Sequence, residues 1–275
     1  MNTWTDTTLS FTAHLRAAGR SAQTVQLRRA HLSQLAANIG TDSPWQVTGP
    51  QLIAWVSARP WSQETRRSWR STLTTFYDWG IRQGHTKTSP AEHLPVVRRS
   101  RPRPRPATDR AVEGAMFGAD ARERLALRLG SEAGLRRGEI VQVHSRDLIE
   151  DLVGWSLVIH GKGGRERVVP IPDSLASAVQ LACRKSPNGY AFPGQIDGHL
   201  SAQRMGDLLA ARLRDRSAHT LRHRFAQHAY EVDRDLAAVQ DLLGHASPET
   251  TRHYVAPAMD HLRRTVEGVA LRAAA

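Results

Sequence analysis

The segment LLGHASPETTRHYVAP, residues 242–257, places a tyrosine in an unusually basic setting. Tyr254 lies nine positions after His245 and directly follows Arg252 and His253. A phenol has a pKa of about 10 and is a poor nucleophile unless its surroundings favour the phenolate, which neighbouring positive charge does. The pattern indicates either a packed aromatic side chain or a nucleophile directed at an anion.

Arg136 is a second candidate, in the sequence AGLRRGEI, where it follows Gly134 and Leu135. Apolar neighbours suggest partial burial of the guanidinium group, and a buried guanidinium needs an anionic partner. Glu139, three residues later, would make the arginine structural, whereas a substrate phosphate would make it functional. The sequence alone leaves both interpretations open.

The sequence HTLRHRFAQH places His219 and Arg222 three residues apart, so a helix would present both on one face. His223 lies directly beside Arg222. Read alone, this stretch is typical of a solvated basic helix. Read with the other candidates, it adds a second guanidinium group and imidazole groups to an anion site.

Lys162 lies in the glycine-rich stretch HGKGGRER, and only three of the 38 basic residues of the chain are lysines. Arginine cannot release a proton in a protein, whereas neighbouring positive charge can lower the pKa of a lysine. A lysine kept in a tight turn suits a general acid, although the glycines by themselves are typical of a hairpin turn.

Together these residues describe phosphoryl transfer through a covalent phosphotyrosine. Two arginines would hold the non-bridging oxygens, Lys162 would protonate the leaving oxygen, and Tyr254 would attack phosphorus. The sequence contains no carboxylate cluster for a hard cation, no G-x-x-x-x-G-K-[ST] loop for ATP and no convincing zinc ligand set. We therefore expect neither a metal nor a cofactor.

The elements that must position these residues are mainly helices, with one small sheet. Strands over 155–160 and 166–171 with a glycine-rich turn over 161–164 are predicted to form a β-hairpin. Helices are predicted near 120–132, 173–184, 201–213, 218–230, 234–243 and 257–271.

Residues 1–93 are predicted to form a separate helical domain. One helical stripe carries Val25, Leu32, Leu35 and Ile39, with Gly40 as its stop, and a second carries Trp69, Leu73, Phe76 and Trp79. Six of the seven tryptophans lie between positions 4 and 79, which predicts a small core filled with indole rings. Arg66, Arg70 and Tyr77 share another face of the second helix, and we expect the arginines there to contact DNA phosphates.

The stretch 94–107 is rich in alternating arginine and proline, which disfavours both helix and sheet and predicts an extended linker. Its arginines are candidate DNA-backbone contacts rather than merely solvated charges: Arg98, Arg99, Arg101, Arg103 and Arg105. The net charge is +12, of which the first 107 residues carry +10, and such charge favours a nucleic-acid partner.

No apolar run approaches the roughly 20 residues of a membrane span. The first ten residues lack the features of a signal peptide, and Cys183 is the only cysteine, so no intrachain disulfide is expected. These features predict a cytoplasmic protein.

The ordered set AGLRRGE, GKGGRERVVPIP, HTLRH and LLGHASPETTRHY resembles the motifs of the tyrosine recombinases, the phage integrase family. The resemblance covers about 108–260, and it implies an α+β catalytic domain over 108–275 after an N-terminal helical, SAM-like core-binding domain. No arm-binding domain is expected, because the predicted core-binding region begins within the first ten residues.

The resemblance also implies the roles of the individual residues. Arg136 and Arg222 would clamp the scissile phosphate, and Lys162 would be the general acid for the 5′ hydroxyl. His219 and His245 would assist proton transfer, and Tyr254 would form a 3′-phosphotyrosyl bond. Glu139 and His223 would be supporting residues.

The implied partner is duplex DNA, enclosed by two domains in a C shape within a bacterial cell. The resemblance implies a monomer off DNA and a homotetramer on paired sites, with a C-terminal segment docked on a neighbouring protomer. A directionality factor or a host DNA-bending protein is a further candidate partner. The predicted task is site-specific recombination in phage or mobile-element integration or excision, which would make the chain a viral or mobile-element integrase.

Two alternatives share parts of this pattern. A type IB topoisomerase would use the same chemistry to relax DNA without a second site, and the chain's small size and basic N-terminal domain fit it less well. A non-catalytic DNA-binding regulator would have lost one of the reactive residues, and Arg136, Lys162 and Tyr254 are all present.

Overall fold

The computed structural model describes residues 3–98, 106–150, 152–161, 164–214 and 216–244. The chain divides into two compact units, Met1–Pro102 and Arg103–Ala275, and this boundary lies within the arginine- and proline-rich stretch 94–107. None of the described helices is long and apolar enough to cross a membrane.

The first unit is entirely helical in its described part. Its α-helices are α1 (Trp4–Ala17), α2 (Ala22–Ile39), α3 (Gly49–Ser57) and α4 (Gln63–Arg82), with short 3₁₀ turns at Pro44–Gln46 and Pro90–His93. Each α-helix begins after a serine or threonine whose side chain accepts a hydrogen bond from a first-turn amide. Gly40 ends α2 in the left-handed conformation, φ 75°, which confirms the predicted stop.

Indole rings fill the core of this unit, as predicted. Trp4, Trp55, Trp69 and Trp79 are buried, whereas Trp45 and Trp61 are partly buried against them. Aromatic stacking links α4 to its surroundings, since the rings of Trp61 and Trp69 lie 4.8 Å apart and nearly parallel.

Tyr77 shares a face of α4 with Arg66 and Arg70, as the helical periodicity predicts. Its side chain is fully buried rather than lying on an open basic face, and its hydroxyl group donates a 3.2 Å hydrogen bond to the carbonyl of Pro44. The face that carries Arg66 and Arg70 is therefore closed by core packing at its C-terminal end.

The second unit combines helices with a small sheet. Its elements are α5 (Asp109–Met116), α6 (Ala121–Glu132), α7 (Arg137–Ile140), a 3₁₀ turn (Ser145–Asp147), β1 (Leu148–Glu150), β2 (Trp155–His160), β3 (Glu166–Ile171), α8 (Asp173–Arg184), β4 (Pro193–Ile196), α9 (Ala202–Arg212), α10 (His219–Asp233) and α11 (Leu236–Leu243). The predicted fold class, mainly α with a small sheet, is confirmed. The predicted helix near 257–271 lies outside the described residues.

Strands β1, β2 and β3 form an antiparallel sheet in that order, and the predicted strand bounds 155–160 and 166–171 are confirmed. In the β2–β3 register, Leu157 pairs with Val169 and Ile159 pairs with Arg167. Leu157, Ile159 and Val169 are buried, so this face of the sheet packs on the core. Because side chains alternate along a strand, Arg167 is on the same inward face.

Candidate active site

Arg136 directly precedes α7 and is held by a carboxylate three residues later. Its backbone amide donates to Oε2 of Glu139 at 2.8 Å, and its Nη1 donates to Oε1 at 2.6 Å. The Arg136 side chain is 41% exposed, whereas that of Glu139 is 6% exposed. The structure thus confirms Glu139 as an anionic partner of Arg136, and it leaves part of this guanidinium group open to a ligand.

Glu139 also forms ion pairs with two further guanidinium groups. Arg167 on β3 donates from Nη1 to Oε1 at 3.0 Å and from Nη2 to Oε2 at 2.8 Å, and Nη1 of Arg222 lies 3.7 Å from Oε2. Burial, the largest influence, opposes ionisation of Glu139, but the bonds and charge of Arg167 and Arg136 outweigh it and hold the pKa at about 2. Glu139 is therefore an anion at any physiological pH.

Arg222 lies in the first turns of α10 and is fully buried. Its Nη1 donates to the carbonyl of Gly134 at 2.6 Å, and its Nη2 donates to the carbonyl of Leu243 at the end of α11. Among the described residues, three guanidinium groups thus surround one carboxylate, and these four side chains together carry a net positive charge. This imbalance suits the binding of an anion such as a phosphate.

His219 and His223 extend this cluster along α10, with ring centroids 4.6 Å apart. Burial first, and then the charges of Arg222 and Arg136, lower the pKa of His219. Burial, His219 and Arg222 lower the pKa of His223 to about 4. Both imidazole groups are consequently neutral near pH 7, a form in which one ring nitrogen donates and the other accepts.

The C-terminus of α11 is held by the same arginines. Nε of Arg167 donates to the carbonyl of Leu242 at 2.9 Å, and Arg222 bonds the carbonyl of Leu243. Gly244 then ends the helix in the left-handed conformation, φ 61°. His245, the next residue, and Tyr254 lie outside the described residues.

The base of the β2–β3 hairpin, whose turn carries Lys162, is closed by polar contacts. His160 and Glu166 pair across the strands, with Nδ1 of His160 3.0 Å from Oε1 of Glu166. Nε2 of His160 lies 3.0 Å from the buried Asp147, whose hydrogen bond is the main reason that the pKa of His160 is raised. Lys162 itself lies outside the described residues.

The arginines predicted to contact DNA, in α4 and in the stretch 94–107, differ in their surroundings. Arg66 donates to three backbone carbonyls, those of Val56, Arg59 and Trp61, at 2.8–3.2 Å. Arg70 donates to the carbonyl of Leu94 at 3.3 Å, and Arg98 is exposed. The other four predicted arginines, Arg99, Arg101, Arg103 and Arg105, lie outside the described residues.

Arg167 is the one cluster residue that the sequence analysis did not single out. The signal was present, because in the strand ERVVPI alternation places Arg167 on the face shared by Val169 and Ile171. An arginine on the inward face of a strand needs a partner. Among the described residues, no group of three or more His, Cys, Asp or Glu side chains is arranged to hold a metal ion.

Comparison with known proteins assigns the chain to a family. The model of the phage integrase family matches residues 111–261, more than half of the chain. The chain belongs to the phage integrase family. It is thus a tyrosine recombinase, an enzyme of a family that cleaves and rejoins DNA, and the predicted resemblance is confirmed.

Curated relatives of this recombinase match nearly its whole length. Tyrosine recombinase XerC of Xanthomonas campestris pv. campestris is 32% identical, over 98% of this chain and 90% of its own. XerC of Chromobacterium violaceum is 31% identical, over 96% of this chain and 94% of its own. These relatives support site-specific recombination as the activity.

Solved structures show the same fold at low sequence identity. A lambda integrase dimer bound to a COC′ core site has a TM-score of 0.72 at 17% identity, covering 92% of this recombinase and 77% of that chain. XerH bound to a palindromic difH substrate, after cleavage, has a TM-score of 0.68 at 19% identity, covering 92% and 81%.

Proposed function

We propose that this recombinase exchanges strands at specific DNA sites through a 3′-phosphotyrosyl intermediate on Tyr254. Arg136 and Arg222, together called the phosphate clamp, hold the non-bridging oxygens of the scissile phosphate. His219 and His245 bind the phosphate and assist proton transfer, and Lys162 is the general acid. Glu139 and His223 support them.

In the proposed reaction, the phosphotyrosine bond keeps the free energy of the phosphodiester bond that is broken. The Tyr254 hydroxyl loses its proton and attacks phosphorus, the bond from phosphorus to O5′ breaks, and Lys162 donates a proton to the leaving O5′. A 5′ hydroxyl of the partner strand then attacks the phosphotyrosine and releases Tyr254. No ATP is consumed, and we propose that guanidinium charge supplies what a metal would otherwise supply.

One observation carries this proposal: Arg136 and Arg222, 86 positions apart, meet at the same carboxylate with positive charge in excess. Glu139 orients Arg136 through hydrogen bonds, lies 3.7 Å from Nη1 of Arg222 and neutralises only part of their combined charge. The neutral imidazole groups of His219 and His223 on the same helix as Arg222 add groups able to donate or accept a proton.

The direct test uses a nicked suicide substrate, from which the cleaved end diffuses away and leaves the covalent adduct. The parent chain should accumulate adduct with and without chelator, whereas Tyr254→Phe should bind the same DNA with unchanged affinity and form none. Adduct formation by Tyr254→Phe would show that the nucleophile is another residue.

We propose residues 1–93 as a core-type DNA-binding domain and 94–107 as an arginine-rich linker along the DNA backbone. The proposed assembly is a homotetramer on paired sites, as in the lambda integrase tetramer solved on a Holliday junction, which shares the fold. Mass photometry on a synthetic Holliday junction should give four protomers per junction, and the isolated chain should be a monomer. A directionality factor would change which pair of DNA sites is recombined.

For the biological task, integration or excision of a phage or other mobile element is our first candidate. The bacterial XerC relatives favour a second candidate, recombination of the bacterium's own DNA. Sequencing DNA trapped covalently on the protein in cells distinguishes them, because the trapped site lies either at an element boundary or at a fixed chromosomal position. Relaxation of plasmids that lack any such site would instead indicate a topoisomerase.

A further inference from the structure

Arg167 lies where a strand normally presents an apolar side chain. It pairs with Ile159 in the β2–β3 register and is on the inward face with Val169, and its side chain is only 10% exposed. A guanidinium group buried there must recover its lost hydration through hydrogen bonds and an ion pair. The hydrogen-bond partners of Arg167 therefore show which parts of the protein it connects.

All three nitrogens of Arg167 donate to groups of the candidate active site. Nη1 and Nη2 donate to both carboxylate oxygens of Glu139, and Nε donates to the carbonyl of Leu242. The two partners are 28 residues before and 75 residues after Arg167. One side chain thus ties β3 to α7 and to the last turn of α11.

These bonds fix the orientation of Glu139. A carboxylate held at both oxygens by a planar guanidinium group cannot rotate, and the same two oxygens accept the side chain and the backbone amide of Arg136. The direction of the exposed part of Arg136 therefore depends on Arg167, whose own three nitrogens all donate to groups of the protein.

Gly244 shows how closely Arg167 also packs on the end of α11. A Cβ atom at Gly244 would lie 2.8 Å from Cδ of Arg167, closer than real Cβ atoms approach a neighbour. The absence of a side chain at Gly244 thus lets Arg167 reach the helix end that directly precedes His245.

We propose that Arg167 is a positioning residue for the phosphate clamp, an inference that rests on the function proposed above. It holds Glu139, and through it Arg136, in the orientation that receives the scissile phosphate, and it fixes the end of α11 at the start of the segment that carries His245. Its removal should harm the stabilisation of phosphate charge more than it harms DNA binding or folding.

Arg128 provides a matched control for a purely structural loss. It makes a comparable two-pronged ion pair with Glu132, at 2.8 Å to each oxygen, and also bonds Ser174 at the start of α8. Among the described residues, it donates to Glu132 and Ser174, neither of which is a candidate active-site residue. Arg128→Gln therefore removes a similar interaction from the same unit without disturbing the phosphate clamp.

The test compares Arg167→Gln, Arg167→Lys and Arg128→Gln on two suicide substrates, one with a normal scissile phosphate and one with a neutral methylphosphonate. The measured quantity is the single-turnover rate of release of the 5′-hydroxyl fragment. A neutral phosphonate carries less charge for guanidinium groups to stabilise, so a misplaced clamp should matter less for it.

We expect Arg167→Gln to slow cleavage of the phosphate about 10- to 100-fold, by analogy with the loss caused by removing a residue that orients the ligands of a metal ion. On the methylphosphonate the loss should be less than about threefold, because the missing interaction is with charge. Arg167→Lys should fall between Arg167→Gln and the parent, since it keeps the charge but cannot hold both oxygens and the Leu242 carbonyl together. Arg128→Gln should change the ratio of the two rates little.

Equal losses on both substrates by Arg167→Gln, accompanied by a fall in melting temperature like that of Arg128→Gln, would reduce Arg167 to a structural residue and overturn the inference. Parental rates for Arg167→Gln would overturn it as well. A parent chain that releases no 5′-hydroxyl fragment from either substrate would instead refute the proposed function itself, so the two failures are distinguishable.

Discussion

Nη1 of Arg222 donates a 2.6 Å hydrogen bond to the backbone carbonyl of Gly134, a residue 88 positions earlier in the chain. This bond connects the helix that carries His219 to the turn that leads into Arg136. The second guanidinium nitrogen, Nη2, bonds the carbonyl of Leu243. A single buried side chain thus joins three segments of the candidate active site, and its role in folding can be measured separately from the catalytic role proposed for it.

Replacing Arg222 with alanine should destabilise the second unit. The carbonyls of Gly134 and Leu243 would lose their buried donor, at a cost of about 2–5 kcal/mol in the free energy of unfolding. Urea unfolding followed by circular dichroism measures this change. Arg224→Ala is the control, since Arg224 lies on the same helix but pairs with the exposed Asp109, and its unfolding midpoint should stay close to that of the parent. Equal midpoints for the two variants would contradict the structural role of Arg222.

Gly134→Ala should also destabilise the protein, for a steric reason. Gly134 has a φ of 66°, and a Cβ atom there would lie 2.4 Å from the ring of Phe225. We expect a loss of about 1–3 kcal/mol in the free energy of unfolding. The control is Gly114→Ala within α5, where no atom lies within 4 Å of the added Cβ; it should stabilise by about 0.5–1 kcal/mol, because glycine disfavours a helix interior. A harmless Gly134→Ala would show that this turn relaxes freely.

Glu139 should make stability depend on pH in a defined acidic window. Its pKa falls from an ordinary 4.5 to about 2 in the folded chain, so its stabilising contribution is complete above pH 4.5 and is lost as the pH falls towards 2. The contribution is on the order of 3 kcal/mol. The difference in unfolding free energy between the parent and Glu139→Gln should be constant above pH 5 and should shrink below pH 4.5. Parallel curves down to pH 2.5 would rule out this assignment.

Part of this site could be predicted from the sequence because its signals are local. The β2–β3 hairpin follows from β-branched residues on both sides of a glycine-rich turn, and the contact between Arg136 and Glu139 follows from their three-residue spacing. The bonds from Arg167 to Glu139 and Leu242 cannot be derived in this way, because they join segments far apart in the chain.

Tyr77 shows the same limit in the first unit. Helical periodicity correctly places it on the face of α4 that carries Arg66 and Arg70, but periodicity does not say which neighbour covers that face. The carbonyl of Pro44, 33 residues earlier, accepts the Tyr77 hydroxyl, and the ring is buried with it. Short elements such as α7 and β1 were not predicted because four or three residues are too few to establish a period.

His223 should make a second, separate contribution to the pH dependence of stability. Burial, His219 and Arg222 lower the pKa of His223 from 6.5 to about 4. Between these two pH values the imidazole group is therefore protonated in the unfolded chain but neutral in the folded chain. Stability should therefore fall as the pH falls from 6.5 to about 4, by on the order of 3 kcal/mol from this group. His223→Gln should flatten the curve of unfolding free energy between pH 6.5 and 4, and His219→Gln should act in the same direction. A curve as steep as that of the parent would contradict the burial of a neutral imidazole.

Arg66→Ala tests whether an arginine predicted to contact DNA acts mainly within the protein. Its guanidinium group donates to the carbonyls of Val56 in the last turn of α3 and of Arg59 and Trp61 just after it, so we expect a loss of about 1–3 kcal/mol in unfolding free energy. The neighbouring Arg67, in an exposed ion pair with Glu64, is the control, and Arg67→Ala should cost less than about 0.5 kcal/mol. The salt dependence of DNA affinity measures the other role, because each lost phosphate contact lowers the slope of log K against log salt by about 0.9. If Arg66→Ala lowers that slope at unchanged stability, Arg66 is a phosphate contact rather than a structural residue.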